Sequence, residues 1–254
     1  MIVTESRHLV KTIIVREKIW GKLKDVALPD SRFHLNFAEV IPDFKGSDVA
    51  TDRLVEEPFV KSGGYAFVTP DNCLVDLRRR MLLAGKPMVV STYGIYRGFW
   101  LLDPKNVPPG QELFAAWLDG LEHFGQPISL AEIAARGRFD FMVTGASAVS
   151  LEGVRFGKGH GFFDLEWGIF TDMGLVDERT PVAAVVHDVQ VVSDKLFPSP
   201  TDILVDLIVT PSQTFHVKDR AARPRGVNWD LLEPEQIANT PPLQELQKIR
   251  GMTK

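Results

Sequence analysis

Apolar positions recur in two periods along this chain, and the switches between them lay out its elements. Residues 5–25 place Leu9, Ile13, Ile19, Trp20 and Leu23 roughly on one side with charges elsewhere, which predicts an N-terminal helix. Residues 27–46 hold several turn formers and read as loop. From Asp48 the pattern is helical through Ala50, Leu54 and Val55, until Pro58 and Gly63-Gly64 break it. A short strand follows at 65–69, then a helix over 72–84 (Leu74, Leu77, Met81, Leu82) ended by Gly85. Strands are predicted at 87–92, 99–102, 139–144, 182–186 and 203–209, and helices at 111–121 and 162–173. Strands alternating with helices at this spacing argue for an α/β fold with a mainly parallel sheet flanked by helices. From Lys218 the character changes. Arg220–Arg225 is basic, and Pro234 and Pro241-Pro242 interrupt the remaining stretch, yet Trp229, Leu231, Leu232, Leu243 and Leu246 are too apolar for a free tail. Residues 1–217 therefore read as one α/β domain and 218–254 as a C-terminal extension packed on it.

The candidate chemistry concentrates in residues 153–164, Gly-Val-Arg-Phe-Gly-Lys-Gly-His-Gly-Phe-Phe-Asp. Glycines at 157, 159 and 161 let backbone approach a ligand closely and present several N–H groups to one anion. Arg155 and Lys158 add positive charge, and Asp164, just past the loop, is placed to hold Mg²⁺ through carboxylate oxygen. The segment reads as a nucleotide-phosphate clamp. It is neither a Walker A loop nor a dinucleotide fingerprint, whose glycines are spaced differently. In an open α/β sheet such a loop falls beyond the carboxyl ends of the strands, where ligands bind. A second segment, 198–211, places Asp202 just before a buried-strand pattern and Asp206 within it. An Asp at a strand end, such as Asp202, can join a second Asp on a metal or serve simply as a turn residue, whereas an Asp inside a strand more often needs a structural partner.

Bulk properties narrow the picture. The 254 residues are 44% hydrophobic and 24% charged, ordinary for a globular protein, and the net charge of −4 gives no basic face for nucleic acid. One cysteine, Cys73, excludes an internal disulfide and a multi-cysteine zinc site. With no signal-like N-terminus and no apolar run near the ~20 residues that span a bilayer, the chain is expected to be cytoplasmic and away from membranes. Its oligomeric state is not legible.

The motif Arg155-x-Gly-x-Gly-x-Gly-Phe-Phe-Asp164 resembles the Arg-Leu-Gly-x-Gly-x-Gly-Tyr-Tyr-Asp signature of 5-formyltetrahydrofolate cyclo-ligases, also called methenyltetrahydrofolate synthetases. Gln190, Pro198, Asp202-x-x-x-Asp206 and Thr210-Pro211 come in the order that family shows. The chain is most similar to a divergent branch, the methenyltetrahydrofolate synthetase domain-containing proteins. Ile41-Pro-Asp-Phe-Lys-Gly46, Gly161-Phe-Phe-Asp-Leu-Glu-Trp-Gly168, Val186-His-Asp-Val-Gln190 and Arg223-Pro-Arg-Gly-Val-Asn-Trp229 carry that likeness.

The resemblance implies a fold shared with ribose-phosphate isomerases and CoA transferases. It also implies cyclisation of 5-formyltetrahydrofolate to 5,10-methenyltetrahydrofolate with ATP as co-substrate and Mg²⁺ as cofactor. The alternatives are a folate- or nucleotide-binding paralogue without turnover, or a ligase acting on another, thiamin-related heterocycle. In the implied scheme Gly157, Gly159 and Gly161 cradle phosphate, Arg155 and Lys158 neutralise it as catalytic residues, and Asp164 with Asp202 holds the metal. Arg16 is directed at ATP, with Thr12 standing four residues earlier where the family has lysine and Lys11 one position off. His160 counts among the nucleotide-binding positions, with solvent exposure as its alternative. Phe162 and Phe163 replace the family's tyrosines, keeping stacking on a heterocycle but losing hydroxyl hydrogen bonds. Glu166 either extends the site or complements the helix N-terminus. His187 and Asp188, adjacent at a strand end, point apart and are read as structural or substrate-edge groups rather than joint metal ligands. Asp164→Asn is expected to abolish activity and leave the fold intact. The second substrate needs a cleft between 157–161 and 92–100.

Overall fold

The computed structural model describes residues 2–252, with side chains from Ile13 onward, so the side chains of Leu9, Lys11 and Thr12 lie outside the described residues. Its strands are β1 (Ala66–Val68), β2 (Met88–Ser91), β3 (Phe99–Leu102), β4 (Gln126–Ile128), β5 (Phe141–Thr144), β6 (Ala148–Ser150), β7 (Arg155–Phe156), β8 (Val182–Val185), β9 (Val191–Val192), β10 (Leu207–Val209) and β11 (Thr214–His216). Eight of them form one sheet in the order β11-β10-β8-β5-β1-β2-β3-β4. The five central strands, β10 to β2, run parallel, and β11, β3 and β4 add antiparallel edges. The fold is thus α/β with a large, mainly parallel sheet flanked by helices.

The central strands are buried on both faces, as parallel strands covered by crossover helices must be. Alternation sends Phe67, Val89, Met142, Ala184 and Ile208 into one core, and Val68, Val90, Val143, Ala183 and Val209 into the other. The first core is rich in aromatics: Phe170 packs edge-on or tilted against Phe67, Phe99 and Phe139, with ring centroids 4.9 Å apart in each pair. Leu243 and Leu246, from the helix Pro241–Ile249, are fully buried in the same core.

A smaller sheet, β7-β6-β9, was not expected from the sequence. Here β6 turns back into β7 as an antiparallel pair and also runs parallel to β9. Val15, Ile19 and Leu23 of the helix Ile2–Leu23 pack on this sheet in a third core with Ala148, Val154 and Val192. The sheet therefore delivers the 157–161 loop from β7, with the N-terminal helix behind it.

Other departures from the sequence reading have local causes. The helix expected at 111–121 is two, Glu112–Ala116 and Leu118–Phe124, because Trp117 is extended and the Ala116 carbonyl accepts from the buried Arg78 Nε at 2.8 Å. Pro58 does not merely end a helix but starts the next one, Pro58–Ser62, at a position where its missing N–H costs nothing. The strand expected at 203–209 begins only at Leu207, since the Val205 amide bonds Gly153 O of the β6–β7 turn at 2.9 Å. The helix Leu130–Arg136 was also missed. Its capping box, in which Ser129 Oγ accepts from the Glu132 amide and Glu132 Oε2 accepts from the Ser129 amide, is the signal that could have found it. Ser129→Ala is expected to lower the melting temperature by roughly 2–4 °C, read by thermal denaturation; an unchanged Tm would show the cap to be dispensable. No helix among the described residues is long and apolar enough to cross a membrane.

Candidate functional site

The carboxyl ends of β1, β2 and β5 open onto a cavity of about 340 Å³, within the size range of small-molecule sites. Polar residues immediately past the buried strands line it: Asp71 after β1, Thr92 and Tyr93 after β2, Gly145 after β5. The 157–161 loop and the first turns of the helix Phe162–Asp172 close the opposite side, so the cleft expected between 157–161 and the 92–100 segment is present.

Every candidate residue from the loop lines this one cavity, as do Arg16, Asp164, Asp202 and Glu166. The loop keeps its shape through glycine. Gly159 has φ +116° and Gly161, which caps the helix, has φ +67°, conformations that L side chains rarely adopt. The first amides of the helix, whose first turn lines the cavity, have no intrahelical acceptors, and its dipole favours an anion there. Arg16 supports the loop from behind, its Nε donating to Gly157 O at 3.0 Å. His160 stacks on Phe162 at 5.3 Å, and Phe162 lies edge-on to Tyr96 at 6.4 Å.

The two loop cations differ. Arg155 is 5% exposed, donates Nη2 to Asp164 Oδ1 at 2.5 Å and lies 4.5 Å over the Phe163 ring, so its charge is spent on Asp164. Lys158 reaches across the cavity: Nζ donates to Glu39 O at 3.0 Å and sits 4.6 Å over the Tyr93 ring. Burial draws the Lys158 ammonium below its ordinary pKa, against the pull of Asp71, Glu39 and Glu166. Both lysine contacts are ones a phosphate oxygen could replace.

The carboxylates are buried as well. Burial pushes Asp164 up to about 6; Arg155 opposes the rise and Asp202 adds to it. Asp164 Oδ1 also accepts from the Ile203 amide at 2.8 Å, which ties the helix to the segment that carries Asp202. Asp202 itself accepts from the Ser199 amide and hydroxyl at 2.8 and 2.7 Å. Glu166 is pushed up to about 8, first by burial, with a Ser91 hydrogen bond opposing and Asp71 adding.

Among the described residues no three His, Cys, Asp or Glu side chains form a metal cage. Mg²⁺, however, is commonly held by one or two carboxylates together with substrate phosphates. Asp164 and Asp202, on one cavity and with Asp202 adding to the upward push on Asp164, fit an ion that arrives with a nucleotide.

Several residues at the site were not identified from sequence. Tyr93 donates to Glu39 Oε2 at 2.7 Å, and Asp71 Oδ2 accepts from the Gly145 amide at 2.8 Å. Tyr93 and Asp71 come just after buried strands, a position that could have singled them out; Glu39 sits in an aperiodic loop that carries no such signal. His187 and Gln190 stay structural. His187 Nδ1 caps a turn, and Gln190, buried, bonds the His187 amide and Ala146 O. Asp206 holds Arg220, Arg223 and the Val182 amide.

With this geometry in place, the chain can be set beside known proteins. Residues 107–211, which include the loop and Asp202 but not Arg16, match the 5-formyltetrahydrofolate cyclo-ligase family. The chain is 32% identical over 238 residues to a methenyltetrahydrofolate synthase domain-containing protein of Homo sapiens, covering 92% of this chain and 60% of that one. A protein of the same description from Danio rerio is 30% identical over 240 residues, covering 92% and 61%. The chain thus spans about 60% of the length of these relatives. A 5,10-methenyltetrahydrofolate synthetase of Aquifex aeolicus, 18% identical, shares the fold with a TM-score of 0.50 over 85% of this chain and 97% of that one. In sequence the chain is thus similar to the 5-formyltetrahydrofolate cyclo-ligase family over residues 107–211 and to methenyltetrahydrofolate synthase domain-containing proteins over most of its length, and in fold it is similar to a methenyltetrahydrofolate synthetase.

Proposed function

We propose that the chain catalyses ATP- and Mg²⁺-dependent cyclisation of 5-formyltetrahydrofolate to 5,10-methenyltetrahydrofolate, releasing ADP and phosphate. The observation that carries this reading is the convergence of the glycine loop, Lys158, Asp164 and Asp202 on one cavity at the carboxyl end of the parallel strands. The formyl oxygen attacks the γ-phosphorus of ATP and ADP leaves. N10 of the folate then attacks the formyl carbon, phosphate departs with the former formyl oxygen, and the N10 proton is lost. No side-chain nucleophile is required; such chemistry asks for positioning and neutralisation of charge.

The chain's own residues supply that. Loop amides at 157, 159 and 161 and the helix N-terminus receive phosphate. Lys158 leaves Glu39 O for a phosphate oxygen, and Arg155 fixes the Asp164 carboxylate rather than meeting ATP itself. Mg²⁺ held by Asp164 and Asp202 would neutralise phosphate charge. Tyr93 and Phe162, which line the cavity, offer aromatic surface to the heterocycle. A cytoplasmic setting goes with this reading.

The test is conversion of 5-formyltetrahydrofolate to the methenyl product, followed by absorbance, with ATP and Mg²⁺ omitted in turn. Lys158→Ala is expected to raise the Kd for ATP roughly tenfold or more, measured by calorimetry. An effect confined to folate affinity would assign Lys158 to the other half of the cavity. ATP binding without any turnover would favour a nucleotide-binding paralogue instead.

A further inference from the structure

Glu166 is a cavity-lining group whose chemistry the phosphate reading leaves unused. It is 2% exposed and lines the cavity, yet its Oε2 has no hydrogen-bond partner; Ser91 is its hydrogen-bonding neighbour. Buried carboxyl oxygens are satisfied as a rule, because an unmade hydrogen bond leaves the full desolvation cost standing. Nearby cations make no direct contact with it: Arg155 pairs with Asp164, and Lys158 donates to Glu39 O. Glu166 also lies two residues beyond Asp164, a turn of roughly 200° around the helix, so the two carboxyls diverge. Asp164 faces Arg155 and the Asp202 segment, whereas Glu166 faces Ser91 at the end of β2.

The wall beside Ser91 combines an aromatic ring with a strained turn. Tyr93 and Ile95 line it, and Ile95 is held at φ +57°, a left-handed conformation costly for a β-branched residue. The turn is fixed by Thr92 Oγ1, which accepts from the Arg97 amide at 3.0 Å. Strain maintained beside a cavity goes with a surface whose shape matters.

We propose that Glu166 is a specificity-determining residue that pairs with an amidine-type edge, a ring nitrogen beside an exocyclic amine, on the heterocyclic second substrate. This rests on the folate reading and names the atoms of the heterocycle that the site distinguishes. The two oxygens of a carboxyl match such an edge with two parallel hydrogen bonds, which one oxygen or an apolar wall cannot do. A site built to hydrogen-bond a group rejects the analogue lacking it far more strongly than an apolar pocket does. Phe162 and Phe163 have no hydroxyl to offer, which leaves Glu166 as the polar contact on this helix for the ring.

The experiment measures equilibrium binding of tetrahydropterin and its 2-desamino counterpart to the full chain, with ATP binding as a parallel readout. The wild type is expected to prefer tetrahydropterin, and Glu166→Leu to lower that affinity on the order of tenfold and erase the preference, with ATP affinity unchanged. Glu166→Met repeats the test should the leucine variant not fold. Equal wild-type affinity for the two pterins overturns the assignment, and so does a preference that survives substitution. Parallel loss of pterin and ATP binding in the variants would make Glu166 a structural residue and also overturn it. A wild type that binds ATP but neither pterin would take the folate reading down as well; one that turns over 5-formyltetrahydrofolate with an unaltered preference in the variants would sink only the role of Glu166.

Discussion

Asp164→Asn is expected to lower ATP-dependent turnover roughly 10²–10³-fold and to destabilise the fold by about 3 kcal/mol. The second effect departs from the sequence-based expectation of lost activity in an intact fold. The cause is the ion pair with Arg155, whose side chain is only 4% exposed. Removing the carboxylate strands that guanidinium in a buried setting, with only the Phe163 ring beside it. The two effects separate in the double variant Arg155→Met, Asp164→Asn. Replacing both charges removes the stranded cation, so stability in urea recovers while turnover does not. Wild-type turnover in Asp164→Asn would take this carboxylate out of the chemistry; failure of the double variant to regain stability would show that the Ile203 contact, not the ion pair, holds the helix.

Arg223→Ala is expected to cost about 3 kcal/mol and to loosen residues 218–252 ahead of the rest of the chain. The Arg223 side chain is fully buried. It donates to Leu204 O at 2.8 Å, Thr180 O at 3.0 Å and Asp206 Oδ2 at 2.5 Å, and lies 4.8 Å over the Trp167 ring. Truncation leaves two buried carbonyls without their donor and opens a void beside the indole. Asp206 keeps Arg220, which limits the loss. Lysine cannot reproduce a planar fork serving three acceptors, so Arg223→Lys should recover little of the stability. Chemical denaturation and limited proteolysis are the readouts, and cleavage of 218–252 at the wild-type rate in Arg223→Ala would contradict this role.

Much of the fold was legible because its central strands are short, largely apolar runs between turn formers, as at 65–69, 139–144 and 182–186. The second sheet was not, since β7 and β9 are two residues each and draw their order from tertiary packing rather than from any period. The loop side of the cavity was legible through glycine spacing at 157, 159 and 161. The facing wall was not. Tyr93 and Glu39 are far apart in sequence and acquire meaning only when folding brings Lys158 between them. Arg155 shows the complementary limit: spacing put a cation near the loop, but only the packed structure shows it committed to Asp164. Arg223 likewise read as one of several basic residues, because nothing in a local pattern marks a guanidinium that enters a core.

The helix Phe162–Asp172 has two bearings. At one end it carries the loop, Asp164 and Glu166. Along its far side Trp167 Nε1 donates to Pro224 O at 3.0 Å, Asp172 accepts from the Val227 amide at 3.1 Å and pairs with Arg250 at 2.9 Å, and a Cβ added at Gly168 would come within 3.1 Å of the Gly226 backbone. The cavity and residues 223–250 therefore share one beam. A segment that looks appended in sequence acts as the mount for that beam, so loosening residues 223–250 is expected to reach the 157–161 loop through this helix.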